Sequence, residues 1–245
     1  MRFGAWLRRE TDGLCNLLLP PACAFCLERL SPPDPDNFCP SCHDKILPIS
    51  GPSCRRCALP FQATDGDDHY CQTCLTEKRP LFSGVTPVGH HDTLLREAIH
   101  RLKYRNDISL ARPLGHLLTS RLRDENSNFD LILPVPLHRS RLHERGYNQS
   151  VLLARQLGRR LQLPFELNRL QRILPGPPQQ GLSARERSRN VRNHFKTASP
   201  LNGEAVLLVD DVMTTGATVR ECARTLMKNG AGSIHVAILA RAALQ

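Results

Sequence analysis

From residue 84 onward the apolar positions follow two alternating rhythms. Val206-Leu207-Leu208-Val209 is an unbroken apolar run, the pattern of a strand covered on both faces. It ends in Asp210-Asp211. A turn, Thr214-Thr215-Gly216-Ala217-Thr218, then opens a helix that should reach Asn229, with Gly230 as its cap. Residues 84–90, 130–133, 169–174 and 233–240 are the other predicted strands. Leu94, Leu95, Ala98, Ile99 and Leu102 lie at helical spacing in 93–104, and helices are also predicted over 110–123 and 149–161. Strands alternating with helices predict an α/β fold with a mostly parallel sheet. Before residue 81 the rhythm is different. Residues 5–18 have one apolar helical side, Pro20-Pro21 ends it, and short polar segments follow. The chain therefore divides into 1–80 and 81–245.

Cysteines explain the first part. Eight of the ten fall as four Cys-x-x-Cys pairs: Cys23/Cys26, Cys39/Cys42, Cys54/Cys57 and Cys71/Cys74. Each pair offers two thiolates from one tight turn, and two turns complete a tetrahedron, so the spacing predicts two structural Zn²⁺ ions. Sequential and cross-braced pairing both satisfy the spacing. His43 and His69 adjoin ligand cysteines and are expected to be bystanders, as are Cys15 and Cys222. Such cysteine use suits a reducing compartment, and no apolar run is long enough to cross a bilayer, so a cytoplasmic protein is expected. Residues 1–19 only faintly imitate a signal peptide, since Glu10, Asp12 and Asn16 interrupt them.

The net charge of +10 is unevenly placed. Residues 1–80 are close to neutral, whereas residues 134–196 carry 13 basic against 3 acidic side chains. Such a patch attracts polyanions. Three segments would make a site. In the first, amides and hydroxyls at Thr214–Thr218 form an anion cradle at a helix N-terminus, beside an acid pair that must serve something other than phosphate. The second, Pro134-Val135-Pro136 through Arg145-Gly146-Tyr147-Asn148-Gln149, leaves a strand at the same sheet edge. It brings Arg139, Arg141 and Arg145 as pyrophosphate or polyanion contacts. The third, Gln179 to Val191, is a long basic loop with Arg185, Arg187 and Arg189. A capping box, Ser183-x-x-Glu186, starts a short helix within it. No lysine occurs between Lys103 and Lys196, so this basicity is all arginine, which favours bidentate phosphate contacts. Neither a P-loop nor a Gly-x-Gly-x-x-Gly strand turn is present.

Val206 to Thr218 resembles the phosphoribosyl-pyrophosphate (PRPP) signature of type I phosphoribosyltransferases. With the paired Cys-x-x-Cys front, Pro-Val-Pro-Leu, Arg-Gly-Tyr-Asn-Gln and Gln-x-Gly-Leu-Ser-x-x-Glu-Arg-x-x-Asn-Val, nearly the whole chain is similar to the ComF/GntX family. The resemblance implies a double zinc ribbon joined to a type I phosphoribosyltransferase fold. It also implies a role in competence, DNA uptake and use of external DNA, with the uptake machinery as a partner. Asp210 and Asp211 would take the catalytic acid positions, holding ribose hydroxyls and stabilising positive charge at the anomeric carbon. Thr214, Thr215, Gly216, Ala217 and Thr218 would bind the 5-phosphate of PRPP, and Mg²⁺ would accompany PRPP. The second segment corresponds to the pyrophosphate loop and the third to the flexible loop. That loop often carries a lysine, which this chain lacks. Two functions stay open: phosphoribosyl transfer to an acceptor that no motif names, and a non-enzymatic module for single-stranded DNA or nucleotides. The basic patch favours the second, but only Tyr147, Phe165 and Phe195 are available in it for base stacking.

Overall fold

The computed structural model describes residues 20–32, 37–63, 65–123, 128–175 and 192–243. The expected helix over 5–18, Cys15 and the capping box at Ser183 and Glu186 lie outside the described residues.

Four strands form one all-parallel sheet: β1 (Gly84–His90), β2 (Leu131–Pro134), β5 (Ala205–Met213) and β6 (Ser233–Arg241), in the order β1-β6-β5-β2. The two central strands are the most apolar. Val206 to Val209 and Ile234 to Arg241 are buried, because helices or ribbon segments cover both faces. A second, antiparallel pair joins β3 (Leu170–Arg172) to β4 (Phe195–Thr197). The sequence pattern does not predict β4, a three-residue strand too short to show alternation.

On one face lie α3 (Thr93–Tyr104), α4 (Ala111–Arg123) and α6 (Gln149–Leu161). Asp92 caps α3 by accepting the Thr93 amide at 2.7 Å. The expected stripe from Leu94 to Leu102 is buried, and Leu114, Leu118, Leu153 and Leu157 close the α4–α6 contact. Each such side chain contributes roughly 1.5–3 kcal/mol through its removal from water. On the other face lies α7 (Ala217–Lys228), burying Val219, Cys222, Ala223 and Leu226 against Val206, Leu208 and Val236. Cys222 is fully enclosed there, and burial pushes its thiol well above the ordinary range, which keeps it inert.

The two cysteine clusters are built alike. In each, the first Cys-x-x-Cys sits in a tight turn closed by a residue in the left-handed region: Leu27 with φ 65° and Ala58 with φ 51°. The second pair starts a short helix, α1 (Pro40–His43) or α2 (Gln72–Thr76). Cys23, Cys26, Cys39 and Cys42 converge, as do Cys54, Cys57, Cys71 and Cys74, with all four sulfurs of each set within 4.8 Å of one another. Cys26 and Cys39 sulfurs are 3.6 Å apart, as are those of Cys57 and Cys71. Zinc–sulfur bonds of about 2.3 Å in a tetrahedron require sulfurs about 3.8 Å apart, so both sets fit zinc. The pairing is sequential, not cross-braced. His43 and His69 are in neither cluster, and His69 instead stacks on Phe61 at 4.0 Å.

The ribbons sit on opposite faces of the sheet. Cys23, Phe38, Cys39, Cys42 and Ile46 join the core of α3, α4 and α6, whereas Cys54, Cys57, Leu59, Cys71 and Cys74 join that of α7. Arg101 of α3 donates to the Phe25 carbonyl at 3.0 Å and lies over its ring, holding the first ribbon. The connection between ribbons passes the end of β1, where the Leu47 carbonyl accepts from His90 N–H at 2.9 Å. Gly89 makes that approach feasible, since a β-carbon there would overlap the Leu47 carbonyl oxygen.

Metal analysis of the purified protein should find about two zinc ions per chain. Cys42→Ser and Cys71→Ser should each lower the count by about one, independently of each other. A single shared loss, or a count of one in the wild type, would contradict two separate sites.

Candidate functional site

The site grows from the end of β5. The sequence pattern predicts a strand over 205–210, and the strand runs three residues further, to Met213, because pairing with β6 continues through Asp210↔Ile238, Val212↔Ala240 and Met213↔Arg241. Asp210 and Asp211 are therefore strand residues, and successive strand side chains point to opposite faces. Asp211 takes the face of Leu207 and Val209. There Lys103, in the last turn of α3, pairs with it at 2.9 Å. Asp210 takes the face of Val206 and Leu208. Its Oδ1 accepts from the Ser150 hydroxyl at 3.0 Å and from the Asp211 amide at 2.9 Å. The acid pair straddles the sheet instead of sharing one side of it. Burial raises the Asp210 carboxyl, the neighbouring Asp211 raises it further, and Lys103 offsets part of this; it titrates at about 7.

Thr214 to Gly216 then turn into α7. Gly216 caps the helix with φ 76° and ψ 9°, a conformation that costs glycine little, and a β-carbon there would press on the Met213 methyl group. Thr215 Oγ1 accepts from the Ala217 amide at 3.4 Å. Asp210, Met213, Thr214, Thr215, Gly216, Ala217 and Thr218 line a hollow of about 50 Å³. A larger cavity of about 460 Å³ opens at the ends of β1 and β6, between Leu47, Pro48, His90, His91, Asp92 and Arg241. Burial, then the charges of Lys103 and Arg96, lower the His91 imidazole.

The second segment leaves β2 at the same edge, as expected. Val135 N–H donates to Val209 at 2.8 Å and prolongs the β2–β5 pairing. The next residues form a short exposed helix, α5 (Arg139–Arg145), where the sequence pattern shows only a loop; the helix buries no side chain, so no apolar stripe announces it. Gly146, at φ 79°, ends it. Asn148 then fixes the start of α6 twice. Its Oδ1 accepts from Ser150 N–H at 2.9 Å, and its Nδ2 donates to the Val135 carbonyl at 2.9 Å. This places Ser150 against Asp210. Gln149, fully buried beside it, has no hydrogen-bond partner for its amide nitrogen among the described residues. Of the three arginines expected here, Arg139 and Arg141 are exposed, and Arg145 lies over the Tyr104 ring at 5.0 Å.

Arg185, Arg187 and Arg189 lie outside the described residues. The strands that bracket their segment are β3 and β4, and Arg172 of β3 lies over Phe195 of β4 at 5.6 Å. Arg172 is also close enough to Asp210 for their charges to interact.

Several residues of this edge escape the sequence patterns. Lys103 ends a helix whose stripe explains its neighbours but not itself. Ser150 has the pattern of an ordinary first-turn residue. Arg220 and Arg241 have that of solvated charges. Arg241 is in fact 2% exposed, and its guanidinium donates to the Met213 carbonyl at 2.8 Å. Only its place at the end of an apolar strand hints at burial. Among the described residues, three or more metal-ligating side chains converge only at the two cysteine clusters.

Comparison with known proteins matches residues 14–75 to the double zinc ribbon domain and residues 147–244 to the phosphoribosyl transferase domain. Competence protein F of Haemophilus influenzae is 36% identical over 215 residues, covering 84% of this chain and 91% of that protein. DNA utilization protein YhgH of Escherichia coli K12 is 36% identical over 193 residues, covering 77% of this chain and 83% of its own. Competence protein ComFC of Bacillus subtilis is 29% identical over 199 residues, 80% of each chain. With its double zinc ribbon ahead of a type I phosphoribosyltransferase fold, this chain belongs to the ComF family.

Proposed function

We propose that the chain binds PRPP at the carboxyl edge of β5 and acts in the uptake or use of DNA. The supporting observation is the acid pair at the end of β5, followed at once by a glycine-started helix, with Ser150 and Lys103 holding one carboxylate each. The 5-phosphate would sit on the Thr214–Thr218 turn, where first-turn amides and the helix dipole favour an anion. Two bare carboxylates beside that turn would repel it. Lys103 balances Asp211, and burial raises the Asp210 carboxyl so that it carries less charge than an ordinary aspartate, which eases the repulsion. A ribose hydroxyl donating to Asp210 would then favour its ionised form.

The reaction served by such a site is phosphoribosyl transfer. The bond from the anomeric carbon to pyrophosphate breaks, a nucleophile bonds to that carbon, and its proton passes to solvent. The acid pair would stabilise the positive charge that develops, and Arg139, Arg141, Arg185, Arg187 and Arg189 would face the departing pyrophosphate. Asp210 and Asp211 alone are too few ligands for a magnesium site, one being already paired with lysine. Mg²⁺ would therefore arrive on PRPP oxygens, where it neutralises phosphate charge. A second reading rests on the surface. Arg139, Arg141, Arg155 and Arg159 are exposed, and the relatives are named for competence and DNA utilization. We propose that this arginine surface carries single-stranded DNA to the same site.

Three measurements test these readings. Calorimetry with PRPP and Mg²⁺ should show saturable binding in the wild type and a loss of more than about tenfold in Asp210→Asn/Asp211→Asn, since hydrogen bonds to charged groups are worth roughly 1.5–3 kcal/mol each. Equal affinities would remove the PRPP assignment. The same affinity, corrected for ionisation of PRPP itself, should rise about tenfold between pH 6 and pH 8 as Asp210 ionises, and Asp210→Asn should flatten that rise. Its persistence in Asp210→Asn would place the titrating group elsewhere. For single-stranded DNA, Arg139→Ala/Arg141→Ala should make the log–log salt dependence shallower by about 1.4. A wild-type affinity indifferent to salt would remove the DNA reading.

A further inference from the structure

Arg241 ends β6 and is 2% exposed, and a cation at that depth is costly unless it is paired. Its Nη1 donates to the carbonyl oxygens of Met213 at 2.8 Å, Ala242 at 2.9 Å, and Thr214. Its Nε donates to the Cys57 carbonyl at 2.9 Å, and Nη2 faces the Cys57 sulfur at 3.9 Å. Among the described residues no carboxylate pairs with it. The second cysteine cluster lies against this guanidinium, and four thiolates around Zn²⁺ carry a net negative charge that balances it.

Arg220 makes a second link from the same cluster. Its Nη2 donates to the Cys74 sulfur at 3.4 Å, its Nη1 pairs with Glu77, and Arg56 completes the group by donating to the Cys74 carbonyl at 2.8 Å. The Arg220 backbone N–H donates to the Gly216 carbonyl at 2.8 Å. The Arg241 guanidinium thus holds the carbonyls at the start of the turn at 213–216, the Arg220 main chain bonds to its end with the Arg220 side chain lying beside Gly216, and each guanidinium faces a sulfur of the second cluster. The first cluster is different. Its sulfurs meet Ser41 at 3.2 Å and Glu28 at 4.0 Å, and the arginine near it, Arg101, reaches the Phe25 carbonyl and ring and pairs with Asp107, with no contact to a sulfur.

We propose that the second four-cysteine site, when it holds zinc, positions the phosphate-binding turn at 213–216 through Arg241 and Arg220. Hydrogen bonds from the arginines to the metal thiolates fix the guanidinium planes, and these in turn fix the carbonyls of Met213 and Thr214, so that the amides that follow are presented in one arrangement. Without the metal the sulfurs of Cys57 and Cys74 are no longer held in place, the guanidiniums of Arg241 and Arg220 that face them lose their fixed partners, and the turn loses the donors that hold its carbonyls. Arg220 and Arg241 are positioning residues. The identity of the ligand on the turn rests on the PRPP reading; the coupling does not.

The test is hydrogen–deuterium exchange of the full-length, zinc-loaded protein. Cys71→Ser, with its second zinc lost, should speed exchange of amides 213–218 by about tenfold or more, since each donor lost is a charge-assisted hydrogen bond. Cys42→Ser, lacking the first zinc, should leave those amides as in the wild type. Amides 206–209 of β5 serve as the internal record that the sheet is intact. Arg241→Met, with both metals bound, provides the variant that does not depend on ribbon folding. It too should loosen 213–218, and it should speed removal of one zinc, not two, by a chelator. Equal loosening from either cysteine variant, or a turn unchanged in Arg241→Met, would overturn the coupling. PRPP with Mg²⁺ should slow removal of the second zinc only, because coupling between two sites is reciprocal. If PRPP has no effect while the turn still loosens in Arg241→Met, the coupling stands and the PRPP reading falls.

Discussion

The pairing of β5 with β6 through Met213↔Arg241 governs the rest of the site. Had β5 ended at Val209, both acids would have been loop residues, free to turn the same way. Because the ladder continues, Asp210 and Asp211 are committed to opposite faces, and each meets a different set of neighbours. Asp211 meets a lysine, and Asp210 meets a hydroxyl at the edge of the hollow. Two adjacent carboxylates thus acquire different partners, and burial together with its neighbour's charge raises the Asp210 carboxyl. The same ladder delivers Arg241 into the interior, directly below the turn that follows.

The ribbons are less an appendage than part of the two cores. Each lends cysteines and a few apolar residues to one face of the sheet, and the connection between them rounds the end of β1 against Gly89. Among the described residues the sheet is narrow, with four parallel strands, and its outer surfaces need such cover. Zinc organises segments that have too few apolar residues to hold themselves. The large cavity beside His90 and His91 exists because the ribbon connection stands over the sheet edge there.

Much of this architecture is legible in the amino-acid sequence alone. The apolar run at Val206, the stripe in α3 and the Cys-x-x-Cys spacing each encode a local geometry that burial or metal binding enforces, so that strand, that helix and the two ligand sets fall where expected. The acid pair and the Thr-Thr-Gly turn are legible for the same reason. Contacts across the fold are what local patterns cannot encode. Lys103 reaches Asp211 from a helix more than a hundred residues earlier, and Ser150 reaches Asp210 through a cap set by Asn148. The zinc pairing is also a matter of three-dimensional closure; spacing allows two solutions and packing on opposite faces selects one. The lengths of β5 and α5 depend on partners, not on their own residues.

The strand order has a consequence for how the chain is made. β6 lies between β1 and β5, although it comes after both in the sequence. While residues 233–241 are still within the ribosome, β1 has no neighbour in the sheet and β5 has one bare side. The ribbons emerge first and can take up metal early, yet the surfaces they present to the two cores, and the cysteines that await Arg241, stay uncovered until synthesis has passed that residue. Emerging chains would therefore hold exposed apolar strands for most of translation, and they should depend on chaperones that shield such strands until the centre of the sheet is filled.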